Sequence, residues 1–152
     1  MSTDTLAQLT SDLTTAMKAR DADRVSVLRQ VIGAVRAEAK AGTVEKELTE
    51  EDVLKVLTRE VKKRRDSAQI YTDAGAPERA ELEAREADAI ETYLPARLSQ
   101  DELTALVQQV VTDLGASSIR DMGAVMKEAT ARAAGAADGK ALSALVRAAL
   151  QG

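Results

Sequence analysis

Residues 57–90 read LTREVKKRRDSAQIYTDAGAPERAELEAREADAI. Leu57, Val61, Ala68 and Tyr71, extended back to Leu54, recur at the spacing of one helix face. The segment DAGAP at 73–77 then offers Gly75 to end a helix and Pro77 to begin the next. Beyond it, Ala80, Leu82, Ala87, Ile90 and Leu94 form a second apolar stripe on a segment dominated by acids. Glu78, Glu81, Glu83, Glu86, Asp88 and Glu91 stand there against only Arg79 and Arg85. A basic helix, a tight turn and an acidic helix predict a helical hairpin.

The run Lys62-Lys63-Arg64-Arg65 is not one patch on such a helix, because each residue advances the face by about 100°. Arg64 continues the inward stripe and Arg65 lies on its flank, so both are expected to pair with carboxylates of the acidic helix. Their long stems lie readily on apolar surface while the heads pair. Lys55, Arg59, Lys62 and Lys63 gather on the opposite side, spaced by four, three and one. Between Lys55 and Arg65 six cations accompany one acid, Glu60, a local +5 on a chain of net charge −4. This outward stripe is either a solvated face or a contact surface for phosphates, which act locally even on an acidic protein. Two tyrosines without Phe or Trp leave no stacking platform, so structured RNA read through its backbone fits better than base-specific recognition.

The same periodicity extends in both directions. A first helix over about 3–20 carries Leu6, Leu9, Leu13 and Met17. A second over about 22–41 carries Val25, Leu28, Val31, Ile32, Val35 and Ala39, with Gly42 as its expected cap. Thr49 caps the third helix (about 50–72), and Glu50, Glu51 and Asp52 favourably oppose its dipole. The fourth runs over about 77–93. Leu94-Pro95 is the clearest boundary, since proline disfavours helix at the residue before it and cannot donate to the ladder.

After it, Ser99 and Glu102 form an S-x-x-E capping box for a fifth helix with Leu103, Leu106, Val107, Val110 and Leu114, ending at Gly115. Ser118 caps a sixth with Ile119, Met122, Val125, Met126 and Ala129. Asp138 opens a seventh with Leu142, Leu145, Val146, Ala149 and Leu150. The expectation is an all-α protein: a four-helix N-terminal subdomain over 1–94 and a compact three-helix C-terminal subdomain over 95–152. The smaller unit is near the size limit for independent stability. Its cations Arg120, Lys127, Arg132, Lys140 and Arg147 are a weaker group, because six acids balance the six cations after residue 94.

Composition excludes several activities. The chain has 152 residues, 45% of them hydrophobic, with no Cys and no His. Nucleophilic sites built on Cys or His are absent, and a zinc site would lack its usual nitrogen and sulfur ligands. No Walker loop or dinucleotide-binding glycine turn occurs. No cofactor, metal site or catalytic residue is expected. No run reaches the roughly 20 apolar residues of a membrane span, and the N-terminus lacks a signal-peptide pattern, so a cytoplasmic location is the expectation.

AMKARD at 16–21, RVSVLRQVIGAV at 24–35, VKKRRDSAQIY at 61–71, YLPARLS at 93–99, DMGAVM at 121–126 and ADGKALSALV at 137–146 occur in that order. Together they resemble the YqeY-like proteins of the GatB/YqeY family, over essentially the whole chain. The resemblance implies two helical subdomains and kinship with the C-terminal tail of the B subunit of the tRNA-dependent amidotransferase. That enzyme amidates mischarged Glu-tRNA(Gln) or Asp-tRNA(Asn) with glutamine as donor, and the family carries the label carbon–nitrogen ligase with glutamine as amido-N-donor. In it the tail helps hold tRNA, whereas the chemistry belongs to a separate catalytic domain whose nucleotide and metal residues have no match here. The expectation is therefore a non-catalytic module for tRNA, or for an amidotransferase–tRNA assembly. Its candidate RNA contacts are Lys55, Arg59, Lys62 and Lys63, then Arg120, Lys127 and Lys140. The alternative is a protein-interaction module with a non-RNA partner.

Overall fold

The computed structural model describes residues 3–151. Residues 1, 2 and 152, at the outer ends of the two expected subdomains, lie outside the described residues. The described chain is all-α: α1 (Asp4–Lys18), α2 (Ala22–Ala39), α3 (Glu50–Asp73), α4 (Pro77–Glu91), α5 (Gln100–Leu114), α6 (Met122–Ala133) and α7 (Gly139–Gln151). It divides after Leu94 into two compact units. Among the described residues, no helix is long and apolar enough to cross a membrane.

In the first unit α3 and α4 form the most extensive helix pair, and α1 with α2 the next. Leu9, Ala16, Val27, Leu28, Val31, Ile32, Leu54, Leu57, Val61, Ala87 and Ile90 close one core cluster. Val35, Val53 and Val56 form a second. Each buried Val, Leu or Ile contributes about 1.5–3 kcal/mol relative to an exposed one. In the second unit α5, α6 and α7 pack on one another around Leu103, Val107, Val110, Val125, Ala129, Leu142, Val146 and Leu150.

Three helix ends share one closure. After α3 the Ala76 N–H donates to the Tyr71 carbonyl and Gly75 N–H to Thr72, with Gly75 left-handed at φ 75°. After α5 the Ala116 N–H reaches Val111 and Gly115 N–H reaches Thr112, with Gly115 at φ 62°. After α1 the Asp21 N–H reaches Ala16 and Arg20 N–H reaches Met17, but here the left-handed residue is Arg20, at φ 57°. A non-glycine residue in that conformation is strained.

The structure corrects several expectations. Gly42 does not cap α2: the helix ends at Ala39, Lys40 is its cap residue, and Lys46 N–H closes the following turn on the Ala39 carbonyl at 2.9 Å. The sixth helix does not begin at Ser118. Ser118 and Asp121 form a reciprocal capping box on a single 3-10 turn (Ile119–Asp121), and α6 proper starts at Met122. Ser99 caps α5 by accepting from Glu102 N–H at 3.1 Å, but the Glu102 carboxylate takes the Ser99 hydroxyl rather than its backbone N–H. Met17, Leu82 and Leu114 are exposed, not inward. At the tight α1–α2 connection Ala16 is the buried residue and Met17 is half exposed. Leu114 is the last residue of α5, between Val111 and Ala116, which do pack against the core of the second unit.

Candidate nucleic-acid interface

α3 holds the cationic run in place. Its start is fixed by a complete capping box: Thr49 Oγ1 accepts from Asp52 N–H at 3.1 Å, and the Asp52 carboxylate accepts from Thr49 N–H at 3.0 Å. The Thr49 backbone donor, foremost, holds the Asp52 carboxyl below its ordinary range. At 24 residues α3 is about 36 Å long at ~1.5 Å per residue.

The inward pair is absorbed by the fold. Arg64 is 4% exposed, the one buried charged residue among those described. Its Nε donates to Glu86 at 3.2 Å, Nη1 to the Glu60 carboxylate and carbonyl at 3.2 Å each, and Nη2 to Gln30 Oε1 at 2.8 Å. One guanidinium thus ties α3 to α4 and to α2. No buried side-chain polar atom lacks a partner among the described residues. Arg65 donates to Asp88 at 2.7 Å and Glu91 at 2.6 Å, and these two bonds, Asp88 first, raise its pKa. Charge-assisted hydrogen bonds of this kind are shorter and stronger than neutral ones.

The outward residues Lys55, Arg59, Lys62 and Lys63 are all exposed and fall within an arc of about 100° on α3. They are not bare. Lys55 meets Glu51 at 3.0 Å, Lys62 meets Asp66 at 3.0 Å, and Arg59 reaches Glu38 of α2 at 2.8 Å. The Arg59 hydrogen bond holds the Glu38 carboxyl below its usual value. Lys63 has no ion pair among the described residues. The charge excess counted between Lys55 and Arg65 is therefore smaller in the folded protein. Carboxylates just outside that window, and one from another helix, meet three of the four cations.

Arg120, Lys127 and Lys140 are exposed in the second unit, on the 3-10 turn, α6 and α7. None has an ion pair among the described residues. Arg132 differs: it donates to Asp113 at 2.8 Å and Glu128 at 2.9 Å, and the Arg132 bond is the main reason the Asp113 carboxyl is held low.

Reading by local charge density missed two features. Arg29, Arg36 and Lys40 on or at the end of α2 are spaced by seven and four, a helical signal present in the sequence. Tyr93 donates its hydroxyl to Asp12, and Arg24 lies beside both, at 3.5 Å from Tyr93 Oη and 3.8 Å from the Asp12 carboxylate. Burial, then the Asp12 carboxylate, pushes the Tyr93 hydroxyl up to about 12. A cleft of about 200 Å³ lies between the start of α2 (Asp21, Asp23, Arg24, Val27) and α4 (Leu82, Arg85, Glu86, Ala89). It is below the roughly 300–1,000 Å³ of ordinary small-molecule sites. Among the described residues, no group of acidic side chains is arranged to hold a metal ion.

No curated protein matches the chain in sequence. The family model described as Yqey-like protein matches residues 6–150, spanning both units. The chain belongs to the YqeY-like protein family.

Proposed function

We propose that the chain is a non-catalytic helical module that binds tRNA, or an amidotransferase–tRNA assembly, mainly through phosphates. The observation that carries this is the exposed arc of Lys55, Arg59, Lys62 and Lys63 on one side of a rigidly capped helix. The ion pairs on that arc do not disqualify it. Exposed pairs are worth about 0–1 kcal/mol each, so a phosphate competes readily with Glu51 or Asp66 for the same ammonium groups. Kinship of the family with the amidotransferase tail makes tRNA the expected polyanion. Arg120, Lys127 and Lys140 are the secondary contacts, and no residue is assigned to catalysis.

The test is charge reversal at Lys55, Arg59, Lys62 and Lys63, with tRNA affinity measured across a salt series. Each lost phosphate contact lowers the slope of log affinity against log salt by about 0.7–0.9. An unchanged slope, or a wild-type chain that does not bind, contradicts the proposal.

A second reading is a protein-interaction module with a non-RNA partner. Leu114 and Ile119, 46% and 45% exposed on either side of the turn after α5, favour it. Met122 and Met126 do not, because both pack partly into the core of the second unit. Partners retained on the chain after nuclease treatment of an extract support this second reading, and loss of all of them removes it.

A further inference from the structure

We propose that the outer face of α2 is a second phosphate-docking stripe, formed by Arg29, Gly33, Arg36 and Lys40, and shaped for the sugar-phosphate backbone of double-helical RNA. The inference rests on the tRNA-binding function proposed above and adds a contact surface to it. Arg29, Gly33, Arg36 and Lys40 are all exposed. At ~100° and ~1.5 Å per residue they fall within about 60° of one another, over roughly 16 Å of helix axis. No carboxylate among the described residues pairs with Arg29, Arg36 or Lys40. On α3, by contrast, only Lys63 of the outward four is free of one. The acids of α2 are turned elsewhere: Glu38 is on Arg59, and Asp23, in the first turn, lies about 120° around the helix from Arg29. Arg29 touches Met17 Sδ at 4.0 Å through one Nη, a weak contact that engages no carboxylate.

Arg36 and Lys40 have a structural role at the C-terminal end of α2, where cations favour the helix dipole. That role accounts for neither Arg29, mid-helix, nor Gly33. Glycine in a helix interior is destabilising relative to alanine. Packing does not require it at 33, where an added Cβ would meet nothing within 4 Å. Gly123 and Gly139 stand instead in the first turns of their helices. Gly33 lies midway between Arg29 and Arg36, so the helix backbone is bare where a ligand backbone held by the two guanidiniums would come closest. A helix lying along a phosphate ridge needs that close approach; an acidic protein surface, with its long flexible carboxylates, does not.

The experiment uses the full chain and bulk tRNA as probe, followed by fluorescence anisotropy over a salt series, with poly-glutamate as a second polyanion. The variants are Arg29→Gln/Arg36→Gln/Lys40→Gln, the same triple to Glu, Gly33→Gln, and the charge-reversed α3 quadruple, each checked for its unfolding midpoint. The α2 triples are expected to lower tRNA affinity at least about tenfold and the salt slope by about 2–3. Gly33→Gln is expected to weaken tRNA binding severalfold with an equal or higher unfolding midpoint. Wild-type tRNA affinity and slope in both α2 triples, with loss in the α3 quadruple, overturns the stripe and leaves the tRNA function standing. Wild-type affinity in Gly33→Gln overturns the close approach. Preferential loss of poly-glutamate binding in the α2 triples overturns an RNA partner in favour of an acidic protein. Absence of tRNA binding by the wild-type chain overturns the tRNA function itself.

Discussion

Lys63 and Arg64 are adjacent in sequence, and the fold treats their charges in opposite ways. Arg64 is buried, with donors to Gln30, Glu60 and Glu86. Lys63 is exposed and has no ion pair among the described residues. The difference follows from one 100° step around α3. On the inward side a cation is costly to desolvate, so it persists only with full hydrogen bonding, and it then dictates which helices meet. On the outward side a charge costs the fold almost nothing and is available to a partner. A cluster of like charges in a helix is thus two kinds of residue, and composition alone cannot separate them.

The largest effect that would sharpen this contrast is expected from Arg64→Ala. It leaves Glu60 and Glu86 without their cation in a part-buried site, and loss of about 3–5 kcal/mol is expected by urea unfolding. A loss under about 1 kcal/mol would erase the distinction between the two faces.

Tyr93 gives a second inward polar group and a pH test. Its folded pKa is raised, to about 12, above the ordinary tyrosine value of about 10. The neutral phenol is therefore favoured in the fold, and its contribution is complete below pH ~10 and lost as pH rises toward 12. The stability difference between wild type and Tyr93→Phe should shrink steadily over that window.

Next comes Thr49→Ala, which opens the capping box that fixes where α3 begins. A loss of about 1 kcal/mol is expected in the same denaturation assay. Arg65→Ala should cost less, at most about 1 kcal/mol, because its two pairs with Asp88 and Glu91 are partly exposed.

Much of this is legible in the sequence. The apolar stripes placed seven helices, and the inward set Leu54, Leu57 and Val61 is buried as its spacing requires. Arg64 and Arg65 were assigned to the acidic helix by the same geometry, and Glu86, Asp88 and Glu91 are their partners. Gln30 was not legible as a partner of Arg64, since that bond depends on how α2 packs across the hairpin. Nor was Glu38 beside Arg59. The Lys55–Glu51 and Lys62–Asp66 pairs are i,i+4 neighbours and were readable, but a count confined to 55–65 left Glu51 out. Arg29, Arg36 and Lys40 escaped because their signal is spacing at a helical period, not density along the chain. Leu82 and Met17 went the other way: Met17 follows the stripe of α1 yet is exposed, and Leu82 stands about 160° around α4 from Ala80, on the rim of the open cleft.

The most direct test sets the two halves of the KKRR run against each other. Lys62→Gln/Lys63→Gln and Arg64→Met are each measured for tRNA affinity and for urea midpoint. The lysine pair is expected to keep stability within about 0.5 kcal/mol while losing tRNA affinity and salt dependence. Arg64→Met is expected to lower the midpoint while the folded protein binds tRNA as wild type does. A lysine variant that unfolds early, or an Arg64→Met variant that is fully stable yet fails to bind, would contradict the division of α3 into a structural face and a binding face.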